Sequence, residues 1–150
     1  MAYTIQAILG RTESLSSMVL EGASLVPLRE GISMLPLGRR FRDAYSIPFL
    51  PLTDAGETEL PAALREVCLS LSIQGEVVYV EAEFHGGTGI QASVHFHQGG
   101  LQDPPIVASD AINTALHALG VVPAQSTDEF ATIGLGEHRD TEQWLNTAGA

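Results

Sequence analysis

The chain contains no lysine: its seven basic side chains are all arginines, set against 18 aspartates and glutamates, for a formal net charge of −11 with histidine neutral. That balance disfavours nucleic acid and anionic membranes as partners, because their phosphates reward clustered lysine and arginine. The single cysteine, Cys68, excludes an internal disulfide framework. It lies inside an apolar helical pattern and reads as a buried thiol, which suits a reducing, cytoplasmic setting. No window approaches the ~20 apolar residues that a membrane-spanning helix needs. The first nine residues carry no basic stretch ahead of their apolar positions, so they read as a strand and not as a secretion signal. Also missing are a phosphate-binding loop, a dinucleotide glycine fingerprint, a zinc-type cysteine pattern and a nucleophile elbow.

What the chain does have is a β-hairpin signal over residues 76–97. Two runs of alternating residues flank Gly86-Gly87-Thr88-Gly89. If one face of this hairpin is buried and the other wet, the register that pairs apolar with apolar is preferred. It sets Phe84 opposite Ile90, Ala82 opposite Ala92, Val80 opposite Val94 and Val78 opposite Phe96. The three glycines then supply the turn, with the positive φ angles that it needs. The other face would carry Tyr79, Glu81, Glu83, Gln91, Ser93, His95 and His97. Glu81 and His95 become diagonal neighbours there, about 7–8 Å apart at Cα. Two carboxylates and two imidazoles on one face suit a divalent metal or acid–base work, with a third ligand from His97, Glu83 or His138. The plainer reading is a solvated or partner-covered sheet face.

The rest of the chain supplies elements to pack against the hairpin. Residues 3–9 alternate as a strand, and Thr12 opens a short helix whose stripe is Leu15, Met18 and Val19. Two short strands flank Arg29-Glu30-Gly31, with Pro27 and Pro36 marking edges or ends. Residues 38–45 read as a helix bearing Arg39, Arg40 and Arg42, either solvated or facing an acidic ligand. Residues 47–57 form a loop with Phe49, Leu50 and Leu52 as a candidate binding rim. The longest helix spans 58–73, capped by Thr58, with Leu60, Leu64, Val67 and Leu71 at helical spacing. A second helix runs over 109–119 from a Ser109 cap, with His117 on its surface. The tail adds two short helices, opened by Ser126-x-x-Glu129 and by Asp140, that place Trp144 and Leu145 against the body.

These elements predict an α+β fold in a single domain, 1–150. Its antiparallel sheet is built around the 76–97 hairpin and packed on one face by the helices near 58–73 and 109–119.

Tyr79-Val80-Glu81-Ala82-Glu83-Phe84, then Gly86-Gly87-x-Gly89-x-Gln91, together with Gly134-Leu135-Gly136-x-His138-Arg139-x-Thr141-Glu142-x-Trp144, resemble a group of small acidic bacterial proteins with no assigned activity. The resemblance covers mainly residues 76–145, and His85 departs from it where the group carries a second aromatic. In size and charge the chain is similar to immunity proteins that neutralise secreted toxins. The expectation is a protein-binding module without a cofactor, gripping a basic protein partner through Tyr79, Glu81, Glu83, Gln91, His95 and His97. The alternatives are a metal-dependent enzyme using Glu81, Glu83, His95 and His97, and a structural subunit that forms a homo-oligomer.

Overall fold

The computed structural model describes residues 2–17, 20–85, 88–125 and 127–148. The chain runs β1 (Ala2–Arg11), α1 (Thr12–Leu15), β2 (Val26–Pro27), β3 (Ile32–Pro36), α2 (Arg39–Tyr45), a long loop, and α3 (Ala62–Ser72). It continues through β4 (Val77–His85), β5 (Thr88–His97), β6 (Gly100–Leu101), β7 (Ile106–Val107), α4 (Ala111–Ala118), α5 (Glu129–Ile133), a 3₁₀ turn (Leu135–Glu137) and α6 (Thr141–Ala148). The strands form one antiparallel sheet in the order β2-β3-β1-β4-β5-β6, with β7 also pairing β5. The α+β class and the antiparallel sheet are therefore as the sequence predicts. Among the described residues no helix is long and apolar enough to cross a membrane.

The hairpin register is one residue away from the apolar-on-apolar alignment. Val78 pairs with His95, Tyr79 with Val94, Val80 with Ser93, Glu81 with Ala92, Ala82 with Gln91 and Phe84 with Gly89. The reason is that the sheet is buried on both faces, so no wet face exists to select the other alignment. Val77, Val78, Tyr79 and Val80 are consecutive and all fully buried, as expected for a central strand covered on two sides. Gly89 fits this register because a Cβ there would collide with the Phe84 ring and the Glu83 carbonyl. Gly86 and Gly87 lie outside the described residues.

The two main helices consequently sit on opposite faces instead of sharing one. Leu64, Val67, Cys68 and Leu71 of α3 pack with Tyr79, Val94 and Phe96, joined by Ile8, Leu35 and Phe41. Ile112, Ala115 and Leu116 of α4 pack with Val78, Val80 and Ala82, joined by Ile5, Leu9, Ile133, Leu135 and Trp144. The sheet thus separates the layer of α1, α2 and α3 from the layer of α4, α5 and α6.

Local details follow from side-chain hydrogen bonding. Helix α3 starts at Ala62 behind Pro61, not at Thr58. In α4, Asp110 occupies the cap position without a side-chain bond. Instead Gln91 of β5 accepts from Ile112 N at 2.9 Å and ties strand to helix. Asp128 caps α5 by accepting from Ala131 N, whereas the Ser126 of the predicted capping box lies outside the described residues, as do Met18 and Val19. Asn113 links α4 to α5 by accepting from Phe130 N and donating to Asp128. Asp140 accepts from Gln143 N and opens α6.

The half of β1 that β3 does not reach is covered by the tail: Thr4 N donates to the Arg139 carbonyl and Gln6 N to Thr141 Oγ1. At the opposite edge, Pro104 and Pro105 interrupt the chain between β6 and β7, which blunts that edge against strand addition.

Val80 and its partner Ser93 are 0% and 3% exposed. Placing an unpaired carboxylate at either position is expected to cost at least about 3 kcal/mol. Denaturant unfolding of Val80→Asp and Ser93→Asp should show large losses in both. Wild-type stability in Ser93→Asp would return that residue to a solvated face and contradict the register.

Candidate functional site

The register separates the side chains that the sequence grouped together. Paired residues share a face, so Tyr79, Glu81 and Glu83 point toward the α3 layer, while Gln91, Ser93, His95 and His97 point toward the α4 layer. Glu81 and His95 therefore lie on opposite sides of the sheet, and the four-residue metal cluster is not assembled. Among the described residues no group of three or more histidine, cysteine, aspartate or glutamate side chains is arranged to hold a metal ion. His138, the suggested further ligand, stacks edge-on against Trp144 with ring centres 4.5 Å apart.

Glu81 is a buried anchor. At 0% exposure, its Oε1 accepts from Leu52 N at 3.0 Å and Tyr79 Oη at 2.9 Å, while Oε2 accepts from Thr53 N at 2.9 Å and Thr53 Oγ1 at 2.7 Å. Its cross-strand neighbour Gln6 accepts from Leu50 N and donates to the Pro48 carbonyl. These bonds hold the 46–55 loop down on the sheet. They also hold Leu50, fully buried, in the left-handed region at φ 42°, a conformation that the surrounding contacts must enforce. The predicted rim is therefore mostly core: Leu50 and Leu52 are buried, and Phe49 alone is exposed, under the Arg42 guanidinium. Arg42 also donates to the Leu37 carbonyl, so it serves the fold.

The histidines meet a carboxylate that the sequence reading passed over. Glu76, one residue ahead of β4, has Oε2 at 2.9 Å from His95 Nε2 and Oε1 at 3.2 Å from His97 Nδ1. One half-buried carboxylate thus bridges both imidazoles. The cue was present, because Glu76 falls opposite His97 once the register is known.

A cavity of about 420 Å³ lies at the outer edge of the α3 face. Its floor is Leu60, Val94 and Phe96, and its far wall is Leu101, Pro104 and Pro105. Glu59, Arg65 and Asp103 supply its charges. Val107, paired with Ala92, and Leu101, paired with Phe96, extend the apolar surface and are about half exposed, at 49% and 47%. An apolar floor with a few polar groups at the mouth is the usual build of a binding pocket. A second hollow of about 900 Å³ lies between α2, α6 and residues 21–24 and is lined by Glu21, Arg40 and Glu142 among others. Sequence reasoning missed the edge cavity because its parts come from three separated segments, 58–65, 94–96 and 101–105.

Comparison with protein-family models, curated proteins and solved structures finds no match to the chain.

The Tyr79 hydroxyl is pushed well above its ordinary value by burial first and then by the adjacent Glu81 charge. Burial also raises Tyr3 and Cys68, so Cys68 stays a protonated, inert thiol. In the unfolded chain tyrosine ionises near ~10. The stability contributed by protonated Tyr3 and Tyr79 is therefore complete below that pH and is lost as the pH rises beyond it. Tyrosinate absorbance of these two should appear together with unfolding, and their titration near ~10 in the folded protein would contradict the burial.

Glu81→Gln removes the charge and leaves one carbonyl oxygen for four donors. A loss of about 3 kcal/mol is expected in chemical denaturation, with faster amide exchange at Leu52 and Thr53. Unchanged exchange at those amides would show that the loop is held by something else.

Proposed function

We propose that the protein is a binding module that captures a basic protein partner at the edge cavity, in the manner of an immunity-type neutraliser, within the cytoplasm. The observation that carries this reading is an apolar-floored cleft lined by the exposed Glu59 and Asp103 on a chain of net charge −11. The apolar floor supplies affinity, while the acidic field raises the encounter rate with a cationic surface. The resemblance to small acidic bacterial proteins, and the likeness in size and charge to immunity proteins, support the same class. The lone buried thiol suits a reducing compartment.

Two other readings lose support. A metal-dependent enzyme needs Glu81, Glu83, His95 and His97 on one face, and they are divided between two. A homo-oligomer would bring together copies each carrying −11, and of the apolar residues in the 47–57 loop that could join them, Leu50 and Leu52 are buried. Steering also moves away from Glu81, which is enclosed, toward the carboxylates at the cavity mouth.

The test uses a labelled peptide that alternates leucine with lysine and arginine, with stopped-flow association measured at low and high salt. Association should be fast and salt-sensitive in the wild type and slowed several-fold in Glu59→Gln/Asp103→Asn, with dissociation little changed. Equal association rates in the two proteins at low salt would remove this cleft from the interface.

A further inference from the structure

Resting on that binding-module reading, we propose that the cleft receives the free carboxyl terminus of the partner chain, with Arg65 as its carboxylate receptor. Arg65, in the first turn of α3, is the one basic side chain lining the cavity. It is exposed. Among the described residues its guanidinium makes no hydrogen bond or ion pair, although Glu59 and Asp103 line the same cavity. Arg29 is paired with Glu137, Arg11 bonds the Glu30 carbonyl and Arg42 bonds the Leu37 carbonyl; of the other arginines, Arg65 is the one that lines this apolar-floored cavity. A guanidinium fork matches a carboxylate with two parallel N–H···O bonds, and an unengaged one is free to do so.

The remaining lining decides which carboxylate is accepted. A cavity of about 420 Å³ accommodates one or two side chains and is too small for a helix about 10–12 Å across. An internal stretch of chain brings no carboxylate of its own unless it carries aspartate or glutamate. Segments with several acidic residues are repelled by Glu59, Asp103 and the overall negative field, which favours a ligand bringing a single carboxylate. A chain end supplies a carboxylate directly beside its last side chain, with no need for acidic residues elsewhere. The fitting ligand thus ends in an apolar residue seated on Leu60 and Phe96. Its α-carboxylate lies on Arg65, and lysine or arginine just upstream meets Glu59 and Asp103. Capture of a terminal carboxylate is an established mode of peptide recognition.

The experiment is fluorescence polarisation with a labelled hexapeptide ending Lys-Arg-Leu, prepared as the free acid and as the C-terminal amide, against wild type and Arg65→Gln. Arg65 is exposed, so the variant is expected to fold. The free acid should bind the wild type roughly tenfold or more tighter than the amide, the value of one charge-assisted contact. The Arg65→Gln variant should bind the two alike. Equal binding of acid and amide by the wild type overturns the terminus inference and leaves the binding-module reading standing. Absence of binding by both peptides, at low salt, overturns both.

Discussion

The pairing of Glu81 with Ala92 is the constraint on which the other features depend. It turns Glu81 inward beside Tyr79 and across from Gln6, onto the α3 face. A carboxylate in that position must be surrounded by donors, since burying it bare would cost several kcal/mol. The chain meets the demand with the backbone of the loop before α3, which is why a segment with two prolines and no regular structure is fixed in place. The same pairing sends Gln91 to the other face, where it caps α4. One register therefore positions a loop on one side of the sheet and a helix on the other.

A central strand with both faces covered also explains where function has room to sit. The middle of the sheet is occupied by core side chains and by the Glu81 and Gln6 networks. Beside the β4–β5 hairpin, open ground is found at the β5 edge, where two-residue strands replace a full-length neighbour and α3 does not reach the last of the apolar surface. Pro104 and Pro105 blunt that edge against strand addition and form part of the wall of the cavity beside it.

Much of the fold was legible in the sequence. The strands at 3–9, 77–85 and 88–97, the helix stripes of Leu64, Val67 and Leu71 and of Ile112 and Leu116, and the tail docking through Trp144 all appear in the structure. The candidate site was not legible, because alternation in β5 alone is ambiguous by one residue when polar groups such as Gln91, Ser93 and Glu81 are buried with partners. The informative cue was the unbroken run Val77-Val78-Tyr79-Val80, which signals burial on both faces. Buried polar residues satisfied by distant loops cannot be recognised from local pattern, since Thr53 lies 28 positions from Glu81. The cavity is likewise assembled from segments that only the tertiary fold brings together.

The register is open to direct measurement. In an antiparallel pair, alternate partners lie about 4.5 Å apart at Cα and give strong Hα–Hα contacts. Nuclear Overhauser spectra of isotope-labelled protein should link β4 to β5 through one alternating set of the observed partners, either Val78 with His95 and Val80 with Ser93, or Tyr79 with Val94 and Glu81 with Ala92. Contacts joining Val80 to Val94 and Ala82 to Ala92 would contradict it, returning Glu81 and His95 to one face.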